Sequence, residues 1–264
     1  MLKTRILTAL VLLPLMIGAL FQLPEHGWTP FIWLVSALGL WEWGRFFRFS
    51  VRAHVAYLGV MSAVAAVIWH FNWTPPLWVH ALILLFWCGV APLWLKQRWP
   101  LGRPWVGALL GVMLILPFWM AMREWRPTPA AAPSLLSLMA LVWLADSAAY
   151  FAGKTFGRHK LAPSISPGKT WEGVAGALVA VTAYAFLLPI NTLWQLHLPM
   201  WGVLGVVWSL TAVSIVGDLL ESWFKRQAGV KDSSQLLPGH GGILDRIDSL
   251  IAVLAVAAAL KALT

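Results

Sequence analysis

Charged residues are scarce in this chain, and cysteine is almost absent. Only 11% of the 264 residues are charged and 60% are hydrophobic, whereas a typical soluble protein is about 25% charged and about 45–50% apolar. This composition excludes an ordinary soluble domain and predicts a protein that lies in a lipid bilayer. The single cysteine, Cys88, excludes an intrachain disulfide and a dithiol redox centre.

A nucleic-acid-binding region is also lacking. The formal net charge is +9, but no solvated basic domain and no RNA-binding motif accompanies it, so we expect no nucleic-acid partner.

Long apolar runs occupy most of the chain. A helix of about 17–25 apolar residues crosses the roughly 30 Å hydrocarbon layer, and about nine such runs predict an all-α, polytopic integral membrane protein. The first run could instead be a secretory signal, but residues 21–24 offer no small-residue cleavage site. The predicted spans are Ile6–Phe21, Phe31–Phe47, Val55–Phe71, Leu77–Leu95, Trp105–Met122, Ser134–Gly153, Gly173–Pro189, Met200–Leu220 and Asp248–Leu263.

The distribution of basic residues predicts the orientation of these spans. Of the 19 Lys and Arg residues, only Arg123, Arg126 and Lys261 fall on one side; the others, beginning with Lys3 and Arg5, fall on the opposite side. Positive charge accumulates on the cytoplasmic side of membrane proteins. We therefore expect a multi-pass protein of the inner (cytoplasmic) membrane with its N-terminus in the cytoplasm.

Polar residues divide the chain into two parts. All the acidic residues except Glu25 and Glu124 fall on the cytoplasmic side, as do the two long polar loops, Lys154–Glu172 and Glu221–Ile247. We expect residues 1–133 to form a scaffold of about five helices, and residues 134–264 to form the catalytic region with these two loops.

The first loop carries groups suited to phosphate. Asp146 lies near the inner end of the sixth span, and Ser166 and Lys169 belong to a turn just before the seventh. Backbone donors, hydroxyls and a cation at a helix start can bind phosphate oxygens. The glycine spacing is not that of a Walker A loop, and a basic loop lying against anionic headgroups is the alternative interpretation.

The second loop brings carboxylates from two spans to the same end. Asp218 lies at the inner end of the eighth span, and Asp245 and Asp248 begin the ninth. Acidic residues also cap helices, which is the alternative for the last two but not for Asp218. Oxygen ligands beside phosphate-binding cations predict Mg²⁺, held by one or two carboxylates and substrate phosphates.

Between these carboxylates the loop is basic and rich in glycine. Lys225, Arg226 and Lys231 supply positive charge, and residues 238–242 form a flexible segment around His240, a candidate general acid or phosphate donor. Arg246, between two aspartates, is either an ion-pair strut or a substrate clamp.

The carboxyl-terminal pattern resembles the signature of the phosphatidate cytidylyltransferases, or CDP-diacylglycerol synthases. That signature runs Ser, any residue, apolar, Lys-Arg, four residues, Lys-Asp, a Pro/Gly-x-His-Gly-Gly turn and Asp-Arg-apolar-Asp. The matching positions are Ser222, Lys225, Arg226, Lys231, Asp232, Pro238, His240, Gly241, Gly242, Asp245, Arg246 and Asp248. Residues 165–173 and the pair Asp146-Ser147 are also similar, although Ala148 stands where the family often has glycine. The resemblance covers residues 146–249.

The resemblance implies transfer of CMP from CTP to phosphatidic acid, giving CDP-diacylglycerol and pyrophosphate among membrane lipids. It implies Asp218 and Asp245 as the main Mg²⁺ ligands, supported by Asp146 and Asp248. Catalytic roles then fall to Asp218, Asp245, Lys225 and Arg226, and substrate binding to Ser166, Lys169, Ser222, Lys231, His240, Gly241, Gly242 and Arg246. Whether the protein also needs a second, monovalent cation, and whether it forms a homodimer, are left open.

Two other functions are weighed against this one. A transporter or ion channel would place polar groups near the midplane of several spans, whereas most carboxylates here lie at one end. Another CTP-dependent lipid enzyme, such as a polyprenol kinase, would use similar groups. An assay that offers both acceptors would distinguish the two activities.

Overall fold

The computed structural model describes residues 2–263, with the side chains of Thr8 and of residues 10–263. Lys3 and Arg5, which entered the orientation prediction, lie outside the described side chains. The elements are α1 (Leu2–Gln22), α2 (Glu25–Phe46), α3 (Val51–His70), α4 (Leu77–Leu85), a π-helical turn (Phe86–Val90), α5 (Ala91–Gln97), α6 (Pro104–Glu124), a 3-10 turn (Pro129–Ala131), α7 (Ala132–Phe156), β1 (Lys160–Ala162), β2 (Ser166–Thr170), α8 (Trp171–Leu187), α9 (Ile190–Trp194), α10 (Met200–Ala228) and α11 (Leu244–Leu263).

Long helices cover each of the predicted spans, so the mostly helical fold is confirmed. In the described chain, five stretches are long and apolar enough to cross a membrane: Val51–His70, Leu77–Gln97, Pro104–Glu124, Pro129–Phe156 and Met200–Ala228. Helices α2 and α11 carry several charged residues, while α8 and the apolar part of α1 are shorter. The count of nine spans and the cytoplasmic N-terminus therefore stay predictions.

Helix α11 forms the centre of the bundle. It packs against α2, α4, α6, α7 and α10, and nearly every residue from Ser249 to Ala259 is buried. Small side chains allow helices to approach closely in a bilayer. At Gly217 of α10, an added Cβ would lie 2.9 Å from Ala252 Cβ and 3.0 Å from the Asp248 carbonyl. This close packing places Asp218 beside the first turns of α11.

A β-hairpin precedes α8, so the all-α prediction is wrong for this segment. β1 and β2 pair antiparallel, with Lys160 opposite Thr170 and Ala162 opposite Ser166. Pro163 and Pro167 disfavour a helix here because proline lacks the amide hydrogen that a helix interior requires. Thr170 ends the hairpin and caps α8, since its hydroxyl accepts a hydrogen bond from the Gly173 amide at 3.1 Å.

The orientation can be tested with single cysteines in a Cys88→Ser background. Gln235 is exposed in the loop between α10 and α11, and Thr192 is exposed in α9, between α8 and α10. Because positive charge favours the cytoplasm, we expect an impermeant maleimide added outside sealed cells to label Thr192→Cys but not Gln235→Cys. Labelling of Gln235→Cys under these conditions, without prior lysis, would reverse the proposed orientation.

Candidate active site

A cavity of about 820 Å³ lies among α7, α8, α10, α11 and the hairpin. This volume is within the usual range for small-molecule sites, about 300–1,000 Å³. Its walls bring together residues from four separate parts of the sequence. The predicted site residues that line it are Asp146, Ser166, Lys169, Asp218, Asp245, Arg246 and Asp248.

The carboxylates in this cavity are close enough to interact. Asp218 repels both Asp146 and Asp248 electrostatically. Lys169, from β2, forms an ion pair with Asp218, and the Ser222 hydroxyl donates to Asp218 Oδ1 at 3.3 Å. A cation that bound here would reduce this repulsion, and phosphate oxygens could interact with the nearby ammonium group.

Asp245 reaches the same cavity, but both its oxygens already accept hydrogen bonds. Lys225 Nζ lies 2.6 Å from Oδ1, and Oδ2 accepts from the Gly242 amide at 2.7 Å. The amide and hydroxyl of Ser233 also donate to Oδ2, each at 2.9 Å. Asp245 therefore fixes the loop before α11 as well as facing the cavity.

Lys225 lies in the wall rather than on the cavity surface. Its ammonium group pairs with Asp245 and with Glu221, one helical turn earlier on α10. A cation placed between two carboxylates in a poorly solvated site stabilises both. The ammonium group of Lys225 is already paired with these two carboxylates. A contact between Lys225 and substrate therefore stays a prediction.

A second cavity, of about 860 Å³, adjoins the first on the loop side and is lined by the predicted residues Lys231, His240, Gly241 and Arg246. Arg246 lines both cavities, and its Nε and Nη2 donate to the His240 carbonyl at 3.1 and 2.7 Å. The predicted site thus divides into two neighbouring cavities that share one arginine. Arg246 therefore stabilises the turn at His240. It does so by hydrogen bonds to a backbone carbonyl rather than by ion pairs with the neighbouring aspartates.

The other predicted residues support the walls. Arg226 Nε donates to the Ile165 carbonyl at 3.4 Å and so links α10 to the hairpin. Gly241 has φ of 85°, in the left-handed region that favours glycine. At Gly242 an added Cβ would lie 2.0 Å from the Ser233 hydroxyl. The close approach of the loop to Ser233 and to the Glu42 carboxylate therefore requires glycine at position 242.

A further carboxylate, Glu42 of α2, was not assigned to the site from the sequence. It is fully buried, and the amides of Ile243 and Leu244 donate to it at 3.0 and 2.6 Å. The Ser234 hydroxyl donates to it as well. The Ser233 hydroxyl lies 2.9 Å from both Glu42 Oε2 and Asp245 Oδ2, so its one hydrogen is shared between the two carboxylates. Its only signal in the sequence was an acid in an apolar span, which did not identify its partners.

Four further polar side chains lie on the hairpin side of the cavity. Lys154 and Lys160 add positive charge to its lining. Glu172, just before the predicted span Gly173–Pro189, pairs with His159 Nδ1 at 2.6 Å. That hydrogen bond lowers the pKa of the partly exposed Glu172 carboxyl to about 2. The Glu172–His159 pair closes the base of the hairpin that presents Ser166 and Lys169.

The donor set fits a hard divalent cation that substrate helps to bind. Within residues 2–263, no three His, Cys, Asp or Glu side chains form a ready metal site. Mg²⁺, however, is usually bound by one or two carboxylates together with substrate phosphates and water. Asp146, Asp218 and Asp248 offer such oxygens on one cavity surface. The identity and number of bound ions stay predictions.

These features define a class: a mostly helical protein, apolar enough to span a membrane, with a polar cavity suited to phosphate-bearing molecules. The chain belongs to the cytidylyltransferase family, whose sequence profile matches residues 3–264. It is 43% identical to the phosphatidate cytidylyltransferase of Pseudomonas aeruginosa, over 98% of this chain and 97% of that protein.

Two other relatives have the same name. The phosphatidate cytidylyltransferase of Haemophilus influenzae is 37% identical over 96% of each chain. That of Staphylococcus aureus is 47% identical over 122 residues, or 46% of this chain and 45% of that protein. The family resemblance recognised in the sequence is confirmed.

Replacing Glu42 tests its function as an anchor for the loop between α10 and α11. We expect Glu42→Gln to increase amide hydrogen exchange across residues 233–244 by at least about tenfold, because an amide cannot accept all four hydrogen bonds. Exchange-coupled mass spectrometry would measure this. The matched control is Ser36→Ala, which removes another buried polar group of α2, one that bonds only within its own helix. Equal exchange in the two variants would contradict the anchoring role.

Proposed function

We propose that this chain transfers CMP from CTP to phosphatidic acid, forming CDP-diacylglycerol and pyrophosphate. The supporting observation is one cavity in a cytidylyltransferase-family chain that gathers four aspartates and several cations from separate elements. The relatives named phosphatidate cytidylyltransferase support phosphatidic acid as the acceptor. We place the reaction at the inner membrane, with the cavity facing the cytoplasm.

The cavity lining suits one water-soluble and one lipid substrate. Polar walls carry Lys169 and Arg246, whose charges match the phosphates of CTP and of phosphatidic acid. Apolar residues lie on the same surface, including Tyr150, Val174 and Ile215. A lipid acceptor can therefore keep its acyl chains against apolar side chains while its phosphate reaches the polar wall.

In the proposed reaction, an oxygen of the phosphatidate phosphate attacks the α-phosphorus of CTP. A new phosphorus–oxygen bond forms, and the bond between the α-phosphorus and the bridging oxygen breaks as pyrophosphate leaves. A phosphate monoester is largely ionised near neutral pH, so the attack needs no strong general base. The side chains need to align the two anionic substrates and offset their repulsion.

Metal binding is assigned to the aspartates. Asp218 would hold Mg²⁺ with Asp146 and Asp248 nearby, and Asp245 would complete the set while it fixes the loop. When bound, Mg²⁺ would neutralise charge on the triphosphate and on the departing pyrophosphate. A second, monovalent cation and a homodimer are compatible with this arrangement.

The position of the label distinguishes this activity from a lipid kinase. The purified chain would be incubated with Mg²⁺ and CTP labelled at either the α- or the γ-phosphate, with phosphatidic acid or a polyprenol as acceptor. We expect the α-label to enter a lipid product only with phosphatidic acid, and the γ-label to leave as pyrophosphate. Transfer of the γ-label to polyprenol would reject the proposal and indicate a kinase.

Two aspartate variants separate the metal role from the loop role. We expect Asp218→Asn and Asp245→Asn each to lower turnover by at least about a hundredfold. Asp218→Asn should raise the Mg²⁺ concentration for half-maximal turnover by at least about tenfold, since it removes an anionic ligand. Asp245→Asn should in addition speed amide exchange across residues 231–243, because it weakens the acceptor of Ser233 and Gly242.

Magnesium titrations of residual activity and amide exchange would be measured on the same preparations. An unchanged Mg²⁺ requirement in Asp218→Asn rejects its assignment as a ligand. Turnover near the unmodified level in Asp245→Asn rejects a catalytic role for that residue.

A further inference from the structure

A third polar cavity lies at the end of the bundle away from the aspartates. It has a volume of about 470 Å³ and is lined by the charged residues Glu25, Arg123, Glu124 and Arg126. These are four of the five charged residues that the sequence assigns to the non-cytoplasmic side. The fifth, Lys261, lies over the Trp125 ring at 4.8 Å and interacts with Glu124. Charges at the margin of an apolar bundle are costly and usually serve a function.

Helix α11 links this far cavity to the catalytic one. Asp248 lines the catalytic cavity, and Ala262, fourteen residues later on the same helix, lines the far cavity. At 1.5 Å per helical residue the two positions are about 21 Å apart along the helix axis. That distance is most of the hydrocarbon thickness of a bilayer, about 30 Å. The two cavities therefore belong to opposite ends of the bundle.

Two guanidinium groups lie beside tryptophan rings at the far cavity. Arg126 is fully buried, and its Nε donates to the Leu20 carbonyl at 2.8 Å while Nη2 donates to the Leu23 carbonyl. Its guanidinium lies 4.8 Å from the centre of the Trp28 ring. Arg123, in the last turn of α6, lies 5.1 Å from the centre of the Trp119 ring. Backbone bonds and a cation–π contact together fix the Arg126 side chain, and a cation–π contact orients that of Arg123.

Polar atoms at this cavity lack a partner among the described residues. They are Arg126 Nη1, Arg123 Nε and the Thr29 hydroxyl. Thr29 is 1% exposed and Arg126 0%. Buried polar groups are nearly always hydrogen-bonded, and leaving one unpaired costs about 1–3 kcal/mol. Two guanidinium donors and a hydroxyl around one cavity match the oxygens of a phosphate group.

We propose that the far cavity binds the phosphodiester of a phospholipid headgroup from the leaflet opposite the catalytic cavity. Arg123 and Arg126 would bind the phosphate, with the Thr29 hydroxyl as a third donor. Glu25 and Glu124 in the same lining disfavour a second negative charge, which selects a singly charged phosphodiester over a phosphomonoester. Trp28, Trp73 and Met120 supply apolar surface beside the polar groups, as a lipid requires.

The test is lipid binding by the delipidated full-length chain in detergent, counted by native mass spectrometry without CTP. The probes are dioleoylphosphatidylglycerol, dioleoylglycerol, which lacks phosphate, and inorganic phosphate. We expect Arg123→Gln to weaken phosphatidylglycerol binding by at least about tenfold, since it removes a charge-assisted bond. Thr29→Val, which keeps nearly the same shape, should weaken it by a smaller factor and guards against misfolding of the first variant.

The matched control is Arg45→Gln. Arg45 lies 5.2 Å from the centre of the Trp41 ring, near the other end of α2, so it has the same ring contact without the cavity. Lys169→Gln removes the contribution of the catalytic cavity and should leave the far-cavity binding intact. None of these binding measurements depends on turnover. A negative result here would therefore leave the proposed CTP-dependent reaction untouched, and a negative CTP assay would leave this lipid site untouched.

Each outcome distinguishes the sources. Binding of phosphatidylglycerol that depends on Arg123 and Thr29, with none for dioleoylglycerol or inorganic phosphate, supports the lipid site. If inorganic phosphate binds with the same affinity as phosphatidylglycerol, the ligand is a free anion and the proposal of a lipid headgroup is rejected. Binding that is unchanged in Arg123→Gln and Thr29→Val, or reduced equally in Arg45→Gln, overturns the site.

Discussion

Charged groups placed inside an apolar bundle must be paired, and this constraint organises the catalytic end of the molecule. Lys225 lies between Glu221 and Asp245, which joins the last turns of α10 to the first turn of α11. The second oxygen of Asp245 then binds Ser233 and Gly242. Because each partner would otherwise be buried without compensation, the ion pairs and the loop conformation depend on one another.

The same constraint joins the two halves of the chain. Glu42 belongs to the N-terminal helices that the sequence suggests are scaffold, yet it accepts hydrogen bonds from the catalytic loop and from the start of α11. Backbone amides at a helix start need acceptors, and a buried carboxylate meets that need strongly. The N-terminal half therefore positions the loop that carries His240 and Arg246, in addition to forming the bundle.

The two ends of the bundle contain different chemistry. At one end, aspartates and cations from several elements share one cavity. At the far end, two arginines held over tryptophan rings lie in a smaller cavity. Helix α11 runs through the buried centre and reaches both. Its small residues permit close packing with α10, which brings Asp218 beside the first turns of α11.

Hydrophobic run lengths alone predicted where the long helices lie. The aspartate, lysine and glycine spacing predicted the family and seven of the residues that line the aspartate cavity. Such features depend on local composition and on motifs short enough to read directly. Tertiary structure decided the rest. It places Lys225 and Arg226 in the walls, divides the predicted site into two cavities that share Arg246, and anchors the loop before α11 on Glu42. These outcomes depend on contacts between residues as much as two hundred positions apart, which no local pattern records. The hairpin at Lys160–Thr170 was missed because strands of three and five residues give almost no periodic signal.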